Sequence, residues 1–374
     1  MLDGARNALR RAAVTTKPQL EADMDDSPRP PFPTPGFLPR DCTFAAEDWA
    51  ILAQRWFPVA RCVDVGDQPL AVVLLDLALV VFRAGGAIRV GRDLCPHRGV
   101  PLSMGWVEGE EIVCAYHGLR YGPDGRCRKI PAEPDTVPPP QFQVTMFPVV
   151  ERYGLVWTCL DPGDRAPVLP AFPLWDDPAF QQILPPLVDI AGSAARQVEG
   201  FVDVAHFAWI HHKAFADREN AVVPSYTTQL TDYGLRTEYW SDISNYPKAV
   251  QHLAPPGFRW LRTFEIYPPF AASLVVDFPG QDRLGILNLA SPVSARRTRL
   301  FVPIVRNFDT TGPLEAVYAF NAQIFAEDQA IVERQRPEEL PLDTGAEAHF
   351  AADRTSLGYR RLLKRMGLSL RYAG

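Results

Sequence analysis

No stretch of this chain approaches the ~20 consecutive apolar residues that a membrane-spanning helix needs. The longest run, Pro69–Phe82 (PLAVVLLDLALVVF), is interrupted by Asp76 and ends at Gly85-Gly86, so it reads as two paired buried strands. Excess positive charge is also missing. With 38 Lys and Arg against 44 Asp and Glu, the net charge is −6, and a nucleic-acid partner is not expected without a basic face. Cysteines are few: six (42, 62, 95, 114, 127, 159) in 374 residues do not make a disulfide scaffold, and a reducing cytoplasm is the default location. The N-terminal MLDGARNALRRAAVTTKPQ has no apolar h-region, which speaks against secretion. Asp3 and the acidic cluster Glu21–Asp26 are wrong for an organelle transit peptide. No G-x-G-x-x-G occurs, so no dinucleotide-binding signature is present. There is no internal repeat.

Proline, by contrast, is abundant at 37 residues. It is concentrated in Ser27–Pro39, Pro131–Pro140 and Pro162–Pro186, which read as an extended arm and two linkers. These divide the chain into a Pro-rich leader (residues 1–44), a small all-β module (45–162) and a larger domain (163–374). The β module carries short strands such as Val59–Val65, Ala71–Leu75, Ala78–Phe82, Ile112–Ala115 and Leu155–Leu160, punctuated by glycine turns. In the larger domain a helical segment near Gln197–Ile210 precedes strands at Gly234–Trp240, Trp260–Tyr267, Leu274–Phe278, Leu284–Leu289 and Thr298–Val305. A long amphipathic helix then spans Pro313–Gln335. The fold class is α+β, built on an antiparallel sheet.

Chemistry concentrates in two places. In the β module, Cys95-Pro-His97 is followed by Cys114-Ala-Tyr-His117, each pair on a turn after an apolar stretch. One thiolate and one imidazole per loop is the arrangement of a Rieske [2Fe–2S] centre, in which two Cys hold one iron and two His the other. A Cys₂His₂ zinc site offers the same donors, but zinc fingers usually pair Cys with Cys and His with His. Cys42, Cys62, Cys127 and Cys159 lack paired spacing and are taken as structural.

The second place is Val198–His212 (VEGFVDVAHFAWIHH). Asp203 and His206, three apart, share a helical face, so one can orient the other. His211 is five from His206, which a regular helix would set roughly 140° away. For both to bind one metal, the helix must end or distort between them; His212 competes as the second histidine. A facial triad needs one carboxylate besides and leaves positions open. Asp328 falls on the apolar stripe of Val317, Phe320, Ile324 and Ile331, where a carboxylate is costly unless it pairs with an arginine or binds a metal. Its neighbour Glu327 is expected on the solvated face. His252 and His349 lack partners at useful spacing. Aromatics crowd residues 226–278, mostly as ordinary core. Asn288, in the apolar strand Gly285–Ala290, is either a satisfied structural amide or an anchor for a substrate heteroatom.

The loops Cys95–Gly105 (CPHRGVPLSMG) and Cys114–Gly125 (CAYHGLRYGPDG), together with D-x-x-H-x-x-x-x-H from Asp203 to His211, resemble the oxygenase (alpha) components of Rieske non-heme iron oxygenases. Val100 and Tyr116 stand where respiratory Rieske proteins add cysteines. FVDVAHFAWI and FNAQIFAEDQAIVE bring the resemblance nearest to N- and O-demethylating monooxygenases. It implies a Rieske domain followed by a helix-grip, START-like catalytic domain, and a ring-shaped homotrimer. Cys95, His97, Cys114 and His117 would hold the cluster; His206, His211 (rather than His212) and Asp328 would hold a mononuclear Fe(II). Glu199 takes the motif's leading acidic position, and Asp203 would bridge His117 of one chain to His206 of the next. O₂ would be the co-substrate, with NAD(P)H electrons arriving through a separate flavin/iron–sulfur reductase or ferredoxin. A small aromatic or heteroaromatic substrate would lose an N- or O-methyl group as formaldehyde. Ring cis-dihydroxylation or C–H hydroxylation, and electron transfer without catalysis, are the alternatives.

Overall fold

The computed structural model describes residues 36–369; most of the Pro-rich leader, residues 1–35, lies outside them. Helix α1 (Ala46–Ala53) opens the β module. It buries Trp49, Leu52 and Ala53, and its buried Asp48 accepts from the Ser369 backbone and hydroxyl at 2.7 and 2.8 Å, tying the two ends of the described chain together.

The apolar run resolves into strands Leu70–Leu74 and Leu77–Ala84, paired antiparallel with Leu74 opposite Leu77. The two residues between them, Leu75 and Asp76, have φ of 51° and 61°, as a tight hairpin turn that follows the strand twist requires. This tip reaches the larger domain. Leu75 and Asp76 donate their backbone N–H groups to the carbonyls of Pro292 and Val293 at 2.8 and 2.9 Å. Thr43 clamps the joint, donating to Asp76 while accepting from the Ala295 N–H. Side chains of both regions, including Leu74, Val81, Val156, Val198, Phe264 and Ala290, belong to one continuous apolar core. A separate small core of Val80, Phe82, Leu102, Ile112, Leu119 and Tyr121 lies under Cys95 and Cys114.

The larger domain holds a nine-stranded antiparallel sheet. Its centre is the meander Leu235–Ser241, Trp260–Tyr267, Ala271–Asp277 and Arg283–Ser294. Alternation sends Phe264, Ala272, Leu274 and Ala290 toward the helices and Ala271, Leu287 and Leu289 toward the opposite core. The expected strand 298–305 is broken at Val302-Pro303 into Arg297–Phe301 and Ile304–Arg306, since proline cannot donate to a ladder. The stretch Pro162–Pro186 is more than a linker. Phe172 and Trp175 are buried, and Gln181–Ile183 adds a strand against Ile304–Arg306.

Four further α-helices belong to the larger domain among the described residues. Instead of one helix over 197–210 there are α2 (Ala194–Val202) and the single turn α3 (Phe207–Ile210). Asp203 causes the break: its carboxylate accepts from the N–H groups of Ala205 and His206 at 3.0 and 3.2 Å, offering the backbone an alternative to helical bonding. Helix α4 (Leu314–Val332) packs across α2 and α5 (Arg354–Arg365) closes the domain. Between α2 and α5 lies a buried ion network. Arg360 grips both Glu199 oxygens at 2.6 and 2.9 Å and Glu347 at 2.6 Å, while Arg196 reaches Glu347 at 2.7 Å. Glu199 is thus a structural anchor of α2. No helix among the described residues is long and apolar enough to cross a membrane.

Candidate functional site

The two Cys/His loops are built alike. The Gly99 N–H donates to Cys95 O and the Gly118 N–H to Cys114 O, both at 2.9 Å; Cys95 and Cys114 donate in turn to Val100 O and Leu119 O. Each loop turns on a glycine four residues after its cysteine, with φ of 71° at Gly99 and 69° at Gly118, a region that costs other residues. Between the loops the backbones crowd: a Cβ on Gly105 would fall 1.9 Å from Val113 O.

Both cysteines are buried and free, whereas the two histidines sit at the tip with their Nδ1 atoms 3.1 Å apart. The Cys114 thiol is pushed up by burial, with Cys95 beside it adding to the effect. A single tetrahedral zinc would draw all four donors together. Among the described residues, only His206, His211 and Asp328 bring three possible ligand atoms within 4.8 Å of one another. The paired sulfurs at one end and paired nitrogens at the other fit a two-iron cluster instead. Tyr121, fully buried, places its hydroxyl 3.2 Å from Cys95 Sγ, a contact the sequence reading did not anticipate. The tip is exposed, with Tyr116 packed against His117 (ring centroids 3.8 Å apart) and Met104 and Trp106 open to solvent.

At the second site His206 begins α3 and His211 ends it. This one turn brings His206 Nε2 and His211 Nε2 to 3.1 Å despite the five-residue spacing. Asp328 Oδ1 lies 3.1 Å from His211 Nε2 and 3.6 Å from His206 Nε2. Two imidazoles and a carboxylate converging on one point form a donor set for a divalent transition metal, with positions left open. Asp203 Oδ2 accepts from His206 Nδ1 at 2.9 Å. Burial works against its ionisation, yet hydrogen bonds from His206 and the following backbone hold its carboxyl below the ordinary range. His212 turns away, its Nδ1 at 2.8 Å from Trp209 O.

Glu327 departs from expectation. It is not solvated on the far face; its Oε2 lies 2.8 Å from His211 Nδ1. Burial acts to lower the His211 pKa, but Asp328 and Glu327 outweigh it and the net shift is upward. The apolar stripe of α4 also shifts by one residue near its end, where Val332 is buried and Ile331 is exposed.

Around the site, Arg262 was not foreseen. It is fully buried and donates to Ser241 Oγ and to Ile243 and Ser244 carbonyls rather than to a carboxylate, with its guanidinium 5.4 Å from the Phe207 ring centre. Burial pushes its pKa down to about 10. Asn288, opposite Ala272 on the helix-facing side of the sheet, is buried, and its Oδ1 has no partner among the described residues. His252 is exposed, and His349 pairs with Asp353 at 3.6 Å. On the outer side, Asp203, His206, Trp209, Val223 and Phe350 line an open cleft of about 700 Å³, with Trp209 and Phe350 exposed.

Comparison with known proteins agrees with this geometry. Residues 55–148 match the Rieske [2Fe-2S] domain family, and residues 190–369 match the vanillate O-demethylase oxygenase C-terminal domain family. Methylxanthine N1-demethylase NdmA of Pseudomonas putida is 32% identical over 322 residues, covering 84% of this chain and 89% of that protein. Methylxanthine N3-demethylase NdmB of the same species is 30% identical over 334 residues, covering 86% and 92%. The solved structure of Pseudomonas putida NdmA with caffeine is similar at a TM-score of 0.76 and 30% identity, over 85% of this chain and 92% of that one.

Proposed function

This chain belongs to the Rieske non-heme iron oxygenases, as an oxygenase component with a vanillate-demethylase-type catalytic domain, and on that premise we propose that it removes an N- or O-methyl group from a small aromatic or heteroaromatic compound. The observation that carries this reading is the convergence of His206, His211 and Asp328 within 4.8 Å, in a domain matched by a demethylase family.

The enzyme is an oxidoreductase whose cofactors are a [2Fe–2S] cluster and a mononuclear iron, with O₂ as co-substrate and electrons from a separate reductase. When bound, these groups supply the electron delivery and O₂ activation that oxidation of a C–H bond needs. The chain's own part is to hold and orient. Cys95, Cys114, His97 and His117 would hold the cluster at an exposed tip, and His206, His211 and Asp328 would hold the iron. Asp203 fixes the His206 ring. The methyl carbon gains a hydroxyl from one atom of O₂, the other leaving as water with two electrons and two protons. The resulting hemiaminal or hemiacetal then breaks its C–N or C–O bond, releasing formaldehyde and the demethylated product.

In this reading the domains divide near residue 162, and three copies form a head-to-tail ring in the cytoplasm. The tip of one copy, with His117, would seat in the cleft of the next beside Asp203, which would then link His117 to His206. The exposed Tyr116 and Met104 on the tip and Trp209 and Phe350 on the cleft support that pairing.

The test supplies the purified protein, a surrogate reductase and NADH with a panel of methylated and unmethylated aromatics, and reads products by mass spectrometry. Loss of CH₂ with formaldehyde release is the expected result. Gain of two oxygens and two hydrogens would overturn it in favour of dihydroxylation, and gain of one oxygen in favour of hydroxylation. Replacing Asp328 by Ala should abolish turnover while leaving the cluster spectrum intact; full activity would remove it from the ligand set.

A further inference from the structure

Two consecutive carboxylates on α4 close on the two nitrogens of one buried ring. Glu327 Oε2 lies 2.8 Å from Nδ1 of His211, and Asp328 Oδ1 lies 3.1 Å from its Nε2. The ring is 2% exposed and lies against Phe215, with centroids 5.0 Å apart. Gln323, one turn earlier on α4, donates to the other Glu327 oxygen at 3.0 Å and fixes that side chain in turn. His206 is held in the same way from the opposite side, by Asp203 on its Nδ1. Both imidazoles therefore have a carboxylate behind them and their Nε2 atoms turned toward one another at 3.1 Å.

We propose that Glu327 is a positioning residue for the mononuclear iron: it accepts the Nδ1–H of His211 and so fixes the tautomer whose Nε2 lone pair faces His206 and Asp328. This rests on the reading that His206, His211 and Asp328 hold the metal. A carboxylate behind a ligating imidazole sets ring orientation and raises its basicity, and removing such a partner typically costs 10–100-fold in metal affinity. Glu327 also places a second carboxyl group on α4, next to Asp328, on the side of the site that would hold the cation. It differs from Asp203 in its setting, because Asp203 lines the open outer cleft whereas Glu327 belongs to the covering helix.

The experiment compares Glu327→Ala and Glu327→Gln with the unmodified protein, all carrying the cluster. Fe(II) affinity of the second site is measured against a competing chelator, and Co(II) in that site reports ligand geometry through its d–d absorption. The Ala variant should bind Fe(II) roughly 10–100-fold more weakly and show an altered Co(II) spectrum. The Gln variant, which keeps an acceptor oxygen without the charge, should fall between it and the unmodified protein. Unaltered thermal unfolding and cluster spectrum would show that neither variant is misfolded. An unchanged Fe(II) dissociation constant and Co(II) spectrum in the Ala variant would overturn the proposal. Failure of the unmodified protein to bind a metal beyond its cluster would instead overturn the reading on which the proposal rests.

Discussion

Replacing Tyr121 by Phe removes one hydroxyl and leaves the ring in its buried place. The hydroxyl lies 3.2 Å from Cys95 Sγ, a cluster thiolate in the proposed reading. Burial first, and then the neighbouring Cys95, drive the phenol pKa well above its ordinary value, so this group remains a donor at any pH the protein survives. Reduction adds one negative charge to the cluster, and a hydrogen bond to its sulfur stabilises that charge. If the bond is worth ~0.5–1.5 kcal/mol more to the reduced state, as net hydrogen bonds commonly are, the one-electron potential rises by ~20–65 mV, since a tenfold change (~1.4 kcal/mol) corresponds to 59 mV. The Phe variant should therefore show a midpoint lower by that amount in a potentiometric titration followed by visible circular dichroism, with its spectral shape retained. A midpoint that stays put or rises, with the cluster intact, would refute the assignment of Tyr121 as a donor to the cluster.

Asp203→Ala should leave cluster and mononuclear iron in place by metal analysis yet slow electron transfer between them in rapid mixing; unchanged transfer would remove its bridging role. Glu347 gives a pH prediction. Burial tends to raise its pKa, but Arg196 and Arg360 outweigh this and hold it below the ordinary 4.5. A carboxyl depressed in the folded state contributes stability that is fully present above its unfolded value and is lost as pH falls through the folded one. Thermal unfolding followed downward from pH 7 should thus steepen below about 4.5, and Glu347→Gln should be less stable at neutral pH with a flatter acid limb. Parallel curves would count against the network as the acid-sensitive element.

How much of this could be read without coordinates depended on whether a residue's role had a local signature. Cys95, His97, Cys114 and His117 could be singled out because a cluster would need those donor types in two short loops, and glycines four residues after each cysteine mark the turns. His206, His211 and Asp328 stood out by spacing and by the cost of a carboxylate on an apolar stripe. Glu327 was misjudged by the same periodicity. A helix sends adjacent side chains about 100° apart, so an inward Asp328 implied an outward Glu327. A ring placed at the end of a one-turn helix can, however, present a different nitrogen to each of them. Arg262 and Tyr121 are ordinary strand residues in sequence, and only burial beside Phe207 and Cys95 gives them meaning. The Pro162–Pro186 stretch looked like a linker because its prolines are local, whereas its pairing with Ile304–Arg306 is not.

The hairpin turn at Leu75-Asp76 bears on timing. It is stitched by backbone hydrogen bonds to Pro292 and Val293 and clamped by Thr43, and one apolar core runs through the joint. Fastening of this kind opposes a swing of the β module relative to the larger domain. In the proposed reading the two redox stations of one copy would then keep the interval that folding sets between them. Control over when an electron arrives would, in the same reading, fall to events at the surface: the docking of the reductase, the fit of one copy's tip into another's cleft, and whether substrate occupies the neighbouring site.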